Sequence, residues 1–136
     1  MARVPDIPEE QLTPEQKRIH AEIAGPRQGT VRGPFAIWLR QPDLADKANQ
    51  FGNALRVNGK LDKRLFELMV LIVARHWSSQ YEWFVHEEAG RKAGLAAEVI
   101  DAIKSRRSPT FARSDEQLVF EIVSELNETR TVSQPT

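Results

Sequence analysis

The chain contains no cysteine, an absence that removes disulfides, thiolate metal sites and thiol redox chemistry together. Neither charge is in excess, with 19 Lys and Arg against 19 Asp and Glu. No strong field therefore draws the protein to nucleic acid or anionic lipid. No apolar run approaches the ~20 residues needed to cross a bilayer, and the opening MARVPDIPEEQ lacks the apolar core of a signal peptide. These absences predict a cytoplasmic protein with no membrane and no nucleic-acid partner. A Gly-rich phosphate loop and a Gly-x-Ser-x-Gly elbow are also missing. Histidine is scarce, with only His20, His76 and His86. The stretch HEEAG (86–90) begins like a zinc-protease helix but carries Gly90 where the second His is required. No metal is expected.

What is present is helical signal. At 136 residues the chain is long enough for one domain with a proper core. Residues 1–12 are polar, hold two prolines and read as a loose N-terminal arm. Thr13-Pro14-Glu15-Gln16 opens a first helix: Thr13 caps, Pro14 suits the first position and Gln16 reaches back. Gly25-Pro26 stops it, and GPRQGTVRGP (25–34) reads as a loop bearing Arg27 and Arg32 before FAIWL (35–39). From Asp43 onward, Leu44, Ala48, Phe51 and Leu55 recur at helical steps and predict one buried face, which Asn58-Gly59 ends. Asp62 caps a helix running to about His76. Its stretch from Leu65 to Ala74 is apolar except for Glu67, which predicts a central helix buried on every side. Ser79-Gln80-Tyr81-Glu82 reads as a capping box opening a helix that ends near Gly94. Leu95, Val99, Ile100 and Ile103 line a short amphipathic helix over 95–105. Ser114-x-x-Gln117 opens the last helix, with Leu118, Val119, Ile122, Val123 and Leu126 on its apolar side. The expectation is an all-α single domain of about six helices over 13–128, with a frayed tail at 129–136.

One cluster stands out chemically. Glu82 and His86 are four residues apart, so on a helix they share a face and can touch. A carboxylate beside an imidazole fixes the ring's orientation, an arrangement suited to acid/base work near neutral pH. If the two helices pack as an antiparallel pair, Glu67 faces the same pocket and can hold or relay a proton. Structural explanations compete with this reading. The capping box alone accounts for Glu82, Arg64 or Arg75 can pair with Glu67, and Trp38, Trp77, Trp83 and Phe84 suit a core.

The pattern of Glu67 followed by Ser79, Glu82 and His86, with Tyr81-Glu82-Trp83 between and Gly94 after, resembles the carboxymuconolactone decarboxylase and alkylhydroperoxidase D superfamily. The resemblance is strongest from Leu61 to Leu95 and extends more weakly from Gly33-Pro34-Phe35 to Ile103-Lys104. It implies that superfamily's helical fold, and a homo-oligomer, trimer or hexamer, with sites near subunit contacts. The redox branch uses a Cys-x-x-Cys pair that corresponds here to Ser79 and Glu82, with supporting residues matching Glu67 and His86. A chain without cysteine cannot run that dithiol cycle. The decarboxylase branch is the closer match, and it implies loss of carbon dioxide from a carboxylated lactone without metal or cofactor.

Such a reaction leaves a dienolate-like carbanion, so a donor or cation must meet the carbonyl and an acid must deliver a proton to carbon. The resemblance makes His86 the acid/base, oriented by Glu82, with Glu67 as relay or orienter. Arg75, Arg32 and Arg40 are candidates for gripping substrate carboxylates, and Trp83 and Phe35 for an apolar wall. Ser79 joins the substrate-binding set. The expected partner is a small carboxylate or lactone, and the expected activity is that of a carboxy-lyase or isomerase. A binding or scaffold protein that kept the fold without chemistry is the alternative.

Overall fold

Helices account for all the regular structure of the computed structural model, which describes residues 4–27 and 29–133; no strand occurs among them. Seven α-helices form rather than about six: α1 (Pro14–Ala24), α2 (Pro34–Trp38), α3 (Pro42–Arg56), α4 (Lys63–His76), α5 (Gln80–Lys92), α6 (Ala97–Lys104) and α7 (Ser114–Thr129). The additional helix, α2, is the FAIWL segment. The chain gathers into two compact units, Met1–Gly59 and Lys60–Thr136.

In the first unit, α1 begins with the capping box read from the sequence. The Gln16 amide donates to Thr13 Oγ1 at 3.2 Å and the Thr13 amide to Gln16 Oε1 at 3.0 Å. Ile19 and Ile23 are buried with Leu12, Leu39 and Ala45. Of the stretch 1–12, residues 1–3 lie outside the described residues, Glu9–Gln11 form a 3-10 turn and Leu12 is buried. Arg27, expected in a basic loop, stitches this unit together: it donates to Ile23 O and Asn49 Oδ1 and lies 4.4 Å above the Phe35 ring. The face expected to be buried on α3 is not. Ala45 and Asn49 turn inward, while Leu44 and Leu55 are about half exposed and Phe51 is 67% exposed. Helical spacing marks one apolar stripe, but it does not say whether the same chain covers it.

The second unit is built around α4, which packs against α5, α6 and α7. Asp62 caps α4, accepting from the Arg64 amide at 2.9 Å. Leu68, Leu71 and Ile72 from α4 join Leu95, Val99, Ile100, Ile103 and Val123 in one core. Complete burial of side chains such as Leu68, Leu71 and Ile100 stabilises the unit by about 1.5–3 kcal/mol each. Burial on every side of α4 is not realised, since Val73 is exposed. Trp77 and Phe84, expected in the core, are 66% and 69% exposed. On α7, Val123 faces the core while Leu118, Ile122 and Leu126 face outward. Ser114 does not cap α7; Arg113 holds the cap position, and Gln117 binds Glu121 instead. Past Thr129, Arg130 ends α7 in a left-handed conformation and Ser133 binds Glu125. Residues 134–136 of the expected frayed tail lie outside the described residues.

Three helix ends share one device. After α4, α5 and α6, an amide bonds back five residues: Ser79 to Ala74, Leu95 to Gly90 and Arg107 to Ala102. The residue before each is left-handed, with φ of 55° at Ser78, 95° at Gly94 and 55° at Arg106. Only Gly94 adopts that conformation without steric cost. The two strained residues meet, as Arg106 Nη2 donates to Ser78 Oγ at 3.1 Å.

Close approach of α5 to α4 depends on Gly90. A Cβ there would lie 3.0 Å from Leu95 Cδ1, 3.3 Å from Leu71 Cδ1 and 3.7 Å from Glu67 Cβ. Gly90→Val overpacks this contact and is expected to destabilise the protein by about 1–3 kcal/mol in urea denaturation.

Arg64 ties α4 to α7: it is buried, donating to Asp115 Oδ2 at 2.7 Å and to Glu116. The Arg64 hydrogen bond holds the Asp115 carboxyl below its ordinary value of 3.8. A depressed carboxylate contributes stability that is present above its unfolded pKa and is lost as pH falls through the lower folded value. The melting temperature should therefore lose this contribution below about pH 4, and Asp115→Asn should make the acid decline shallower.

Candidate active site

The turn between α4 and α5 returns the chain antiparallel, which decides what Glu67 meets. Glu67 and His86 are each 7% exposed. His86 Nδ1 lies 2.6 Å from Glu67 Oε2, and on the other side of the ring Nε2 lies 3.4 Å from Glu82 Oε2. The buried acid thus has a partner, and the partner is the histidine. Arg64 is committed to Asp115 and Glu116. An ionised carboxylate only accepts, so the Glu67 bond keeps the ring proton on Nδ1 and turns Nε2 toward Glu82. The Glu82 side chain is 38% exposed, which makes the Nε2 side of the ring the open side.

Glu82 reaches His86 because it does not cap α5. Ser79 occupies the N-cap position, yet its side chain makes no cap hydrogen bond, and the expected capping box is absent. The sequence pattern is the same as at Thr13, where the box forms; here the Glu is drawn along the helix to the imidazole instead.

A second group gathers around a cavity of about 420 Å³ beside the α4–α5 turn, lined by Arg75, Ser78, Ser79, Gln80, Trp83 and Lys104 together with Ala74. The Trp83 indole N–H donates to Glu87 Oε2 at 2.6 Å, which fixes the ring in the cavity wall. Glu87 also accepts from Lys104 at 3.0 Å and Arg91 at 3.1 Å. Burial works to raise the Glu87 carboxyl, but the Lys104, Arg91 and Trp83 hydrogen bonds outweigh it and hold the group below its ordinary value. Arg75 differs from the other cations: its Nε is buried without a hydrogen-bond partner.

The candidate residues therefore fall into sets. Glu67, Glu82 and His86 meet in one constellation. Arg75, Ser79 and Trp83 share the cavity, whose lining does not include that constellation. Arg32, Arg40 and Phe35 belong to the first unit, where Arg32 is exposed, Arg40 donates to Pro5 O at 2.5 Å and Phe35 packs edge-on against Trp38. Sequence reasoning missed Lys104, Gln80, Glu87 and Gly90. Only Gly90 left a trace, as a glycine in a helix interior four residues after a histidine. No group of His, Asp and Glu side chains among the described residues is arranged to hold a metal ion.

Neither the curated proteins nor the solved structures contain a significant match to the chain. The model of the carboxymuconolactone decarboxylase family matches residues 42–123, well over half of the chain and the whole of α3 to α6. Glu67, Ser79, Glu82 and His86 all fall within that span, and on this match the chain belongs to the carboxymuconolactone decarboxylase family.

Proposed function

We propose that the protein is a cofactor-independent, cytoplasmic carboxy-lyase or isomerase that moves a proton on a carboxylated lactone or enolisable carboxylate. The observation that carries this reading is the buried Glu67–His86 hydrogen bond, with Nε2 left on the open side of the ring. In the lyase reaction the carboxylate departs as carbon dioxide, and the electrons of the broken carbon–carbon bond pass into the lactone carbonyl as a dienolate. His86 Nε2 then delivers a proton to carbon and is reprotonated from water. Glu67 holds Nδ1–H throughout, and Glu82 supports the protonated ring. Arg75, Ser79 and Trp83 are the substrate-binding side chains of this scheme. The same reading has the chain acting as a homo-oligomer, trimer or hexamer, for which exposed Phe51, Trp77 and Phe84 supply apolar surface.

The second reading is a binding protein without chemistry, and one observation favours it: His86 is not on the cavity's lining. The two separate on substitution. A positioned acid/base contributes about 10²–10⁴-fold to rate, so His86→Gln should lower carbon dioxide release from carboxymuconolactone by that order while keeping a donor for Glu67. Glu67→Gln should lower the same rate with the fold retained. Undiminished release by His86→Gln would overturn the proton-transfer reading. Loss of stability alone in Glu67→Gln, without activity in the parent protein, would favour the binding protein.

A further inference from the structure

Asn58-Gly59, the pair that ends α3, carries a chemical property that the packing of the helix enforces. Val57 and Asn58 close α3 by donating their backbone amides to Asn53 O at 2.9 and 3.3 Å. The chain then turns so tightly that a Cβ at position 59 would lie 2.1 Å from Leu55 O. Only glycine fits there. The fold therefore places after Asn58 the one residue whose backbone nitrogen has no side chain beside it.

That pairing matters because the backbone nitrogen of the next residue can attack an asparagine side-chain carbonyl, and a Cβ on that residue hinders the approach. Every residue from Ala54 to Lys63 is exposed. Among the described residues, neither the Asn58 side chain nor the Gly59 amide has a hydrogen-bond partner. Both reacting groups are wet and unengaged. The other asparagines are held. Asn49 is buried and accepts from Arg27, and Asn53 lies inside α3, where the following amide is committed to the helix. Asn127 lies inside α7, accepting from Trp77 and donating to Val123 O.

We propose that Asn58 is a site of spontaneous covalent modification, converting to aspartate and isoaspartate through a cyclic imide. The Gly59 nitrogen gives up its proton to solvent hydroxide and forms a bond to Asn58 Cγ. The Cγ–Nδ2 bond breaks, and ammonia leaves. Water then adds to one of the two imide carbonyls. Opening at one gives aspartate; opening at the other routes the main chain through Cγ and lengthens it by one carbon. Nothing is oxidised or reduced, and water is the only co-reactant consumed. Either product puts a new carboxylate just past the C-terminal end of α3, where free carbonyls already carry partial negative charge. The lengthened product also shifts Gly59 from its close fit against Leu55 O. Conversion thus acts as a timed loosening of the last turn of α3. This inference does not rest on the lyase reading.

The test ages the full chain at physiological temperature, from neutral to mildly alkaline pH, and follows it by tryptic peptide mapping. Peptide Val57–Lys60 contains Asn58 as its only asparagine. A synthetic peptide of residues 54–63 in the same buffers gives the rate without a fold. Asn58 is expected to convert first, faster at higher pH, and within about threefold of the peptide's rate, as for an unprotected segment. Asn58→Gln should abolish the conversion, because its longer side chain must close a larger ring. Asn58→Asp reproduces the new charge and should lower the melting temperature by about 1–4 °C. Conversion more than about tenfold slower than in the peptide would show a protecting fold and overturn the proposal. Conversion as fast at Asn49, Asn53 or Asn127 would overturn the assignment to Asn58. An Asn58→Asp melting temperature at or above the parent's would overturn the loosening of α3.

Discussion

A carboxylate and an imidazole share one buried hydrogen bond between α4 and α5, and much of the second unit is arranged to make that possible. Glu67 sits in the otherwise apolar stretch of α4 from Leu65 to Ala74, where an unpartnered charge would be strongly destabilising. Its partner arrives from the next helix only because the chain reverses sharply after Trp77 and because Gly90 lets the two helices close on each other. The left-handed turn at Ser78 costs backbone energy that the Leu68–Leu71–Ile100 core offsets. Stability and the chemistry of the site therefore meet in the same hairpin.

The hairpin also divides labour along its length. Near the turn, Arg75, Ser79, Trp83 and Lys104 surround the cavity. Farther from the turn, the Glu67–His86 bond sits deeper, with Glu82 toward solvent. Positioning comes from a network rather than from single contacts. Glu87 fixes Trp83, restrains Lys104 and is restrained in turn by Arg91, so one ionised carboxylate orders the wall of the cavity.

Much of this was legible in the sequence where the cause is local. The Thr13 box, the Asp62 cap, the Gly94 stop and the apolar face of α6 all depend on residues within a turn of one another. Glu67, Glu82 and His86 could be grouped because helical spacing and an antiparallel pairing suffice to bring them together. The failures are tertiary in origin. Ser79-x-x-Glu82 has the letters of a capping box, but a histidine one turn on competes for the Glu. The stripe Leu44, Phe51, Leu55 has the period of a buried face, while burial depends on what lies against it. Lys104 and Glu87 are ordinary charges in sequence, and only the fold brings them together as an ion pair between α6 and α5, with Lys104 on the cavity wall.

The most direct test of this account reads the tautomer of the His86 ring by nitrogen-15 NMR. The account predicts that the neutral ring carries its proton on Nδ1, held by Glu67, and that Glu67→Gln disturbs this preference. A neutral His86 carrying its proton on Nε2, with Nδ1 bare, would contradict the Glu67–His86 pair as the centre of the site.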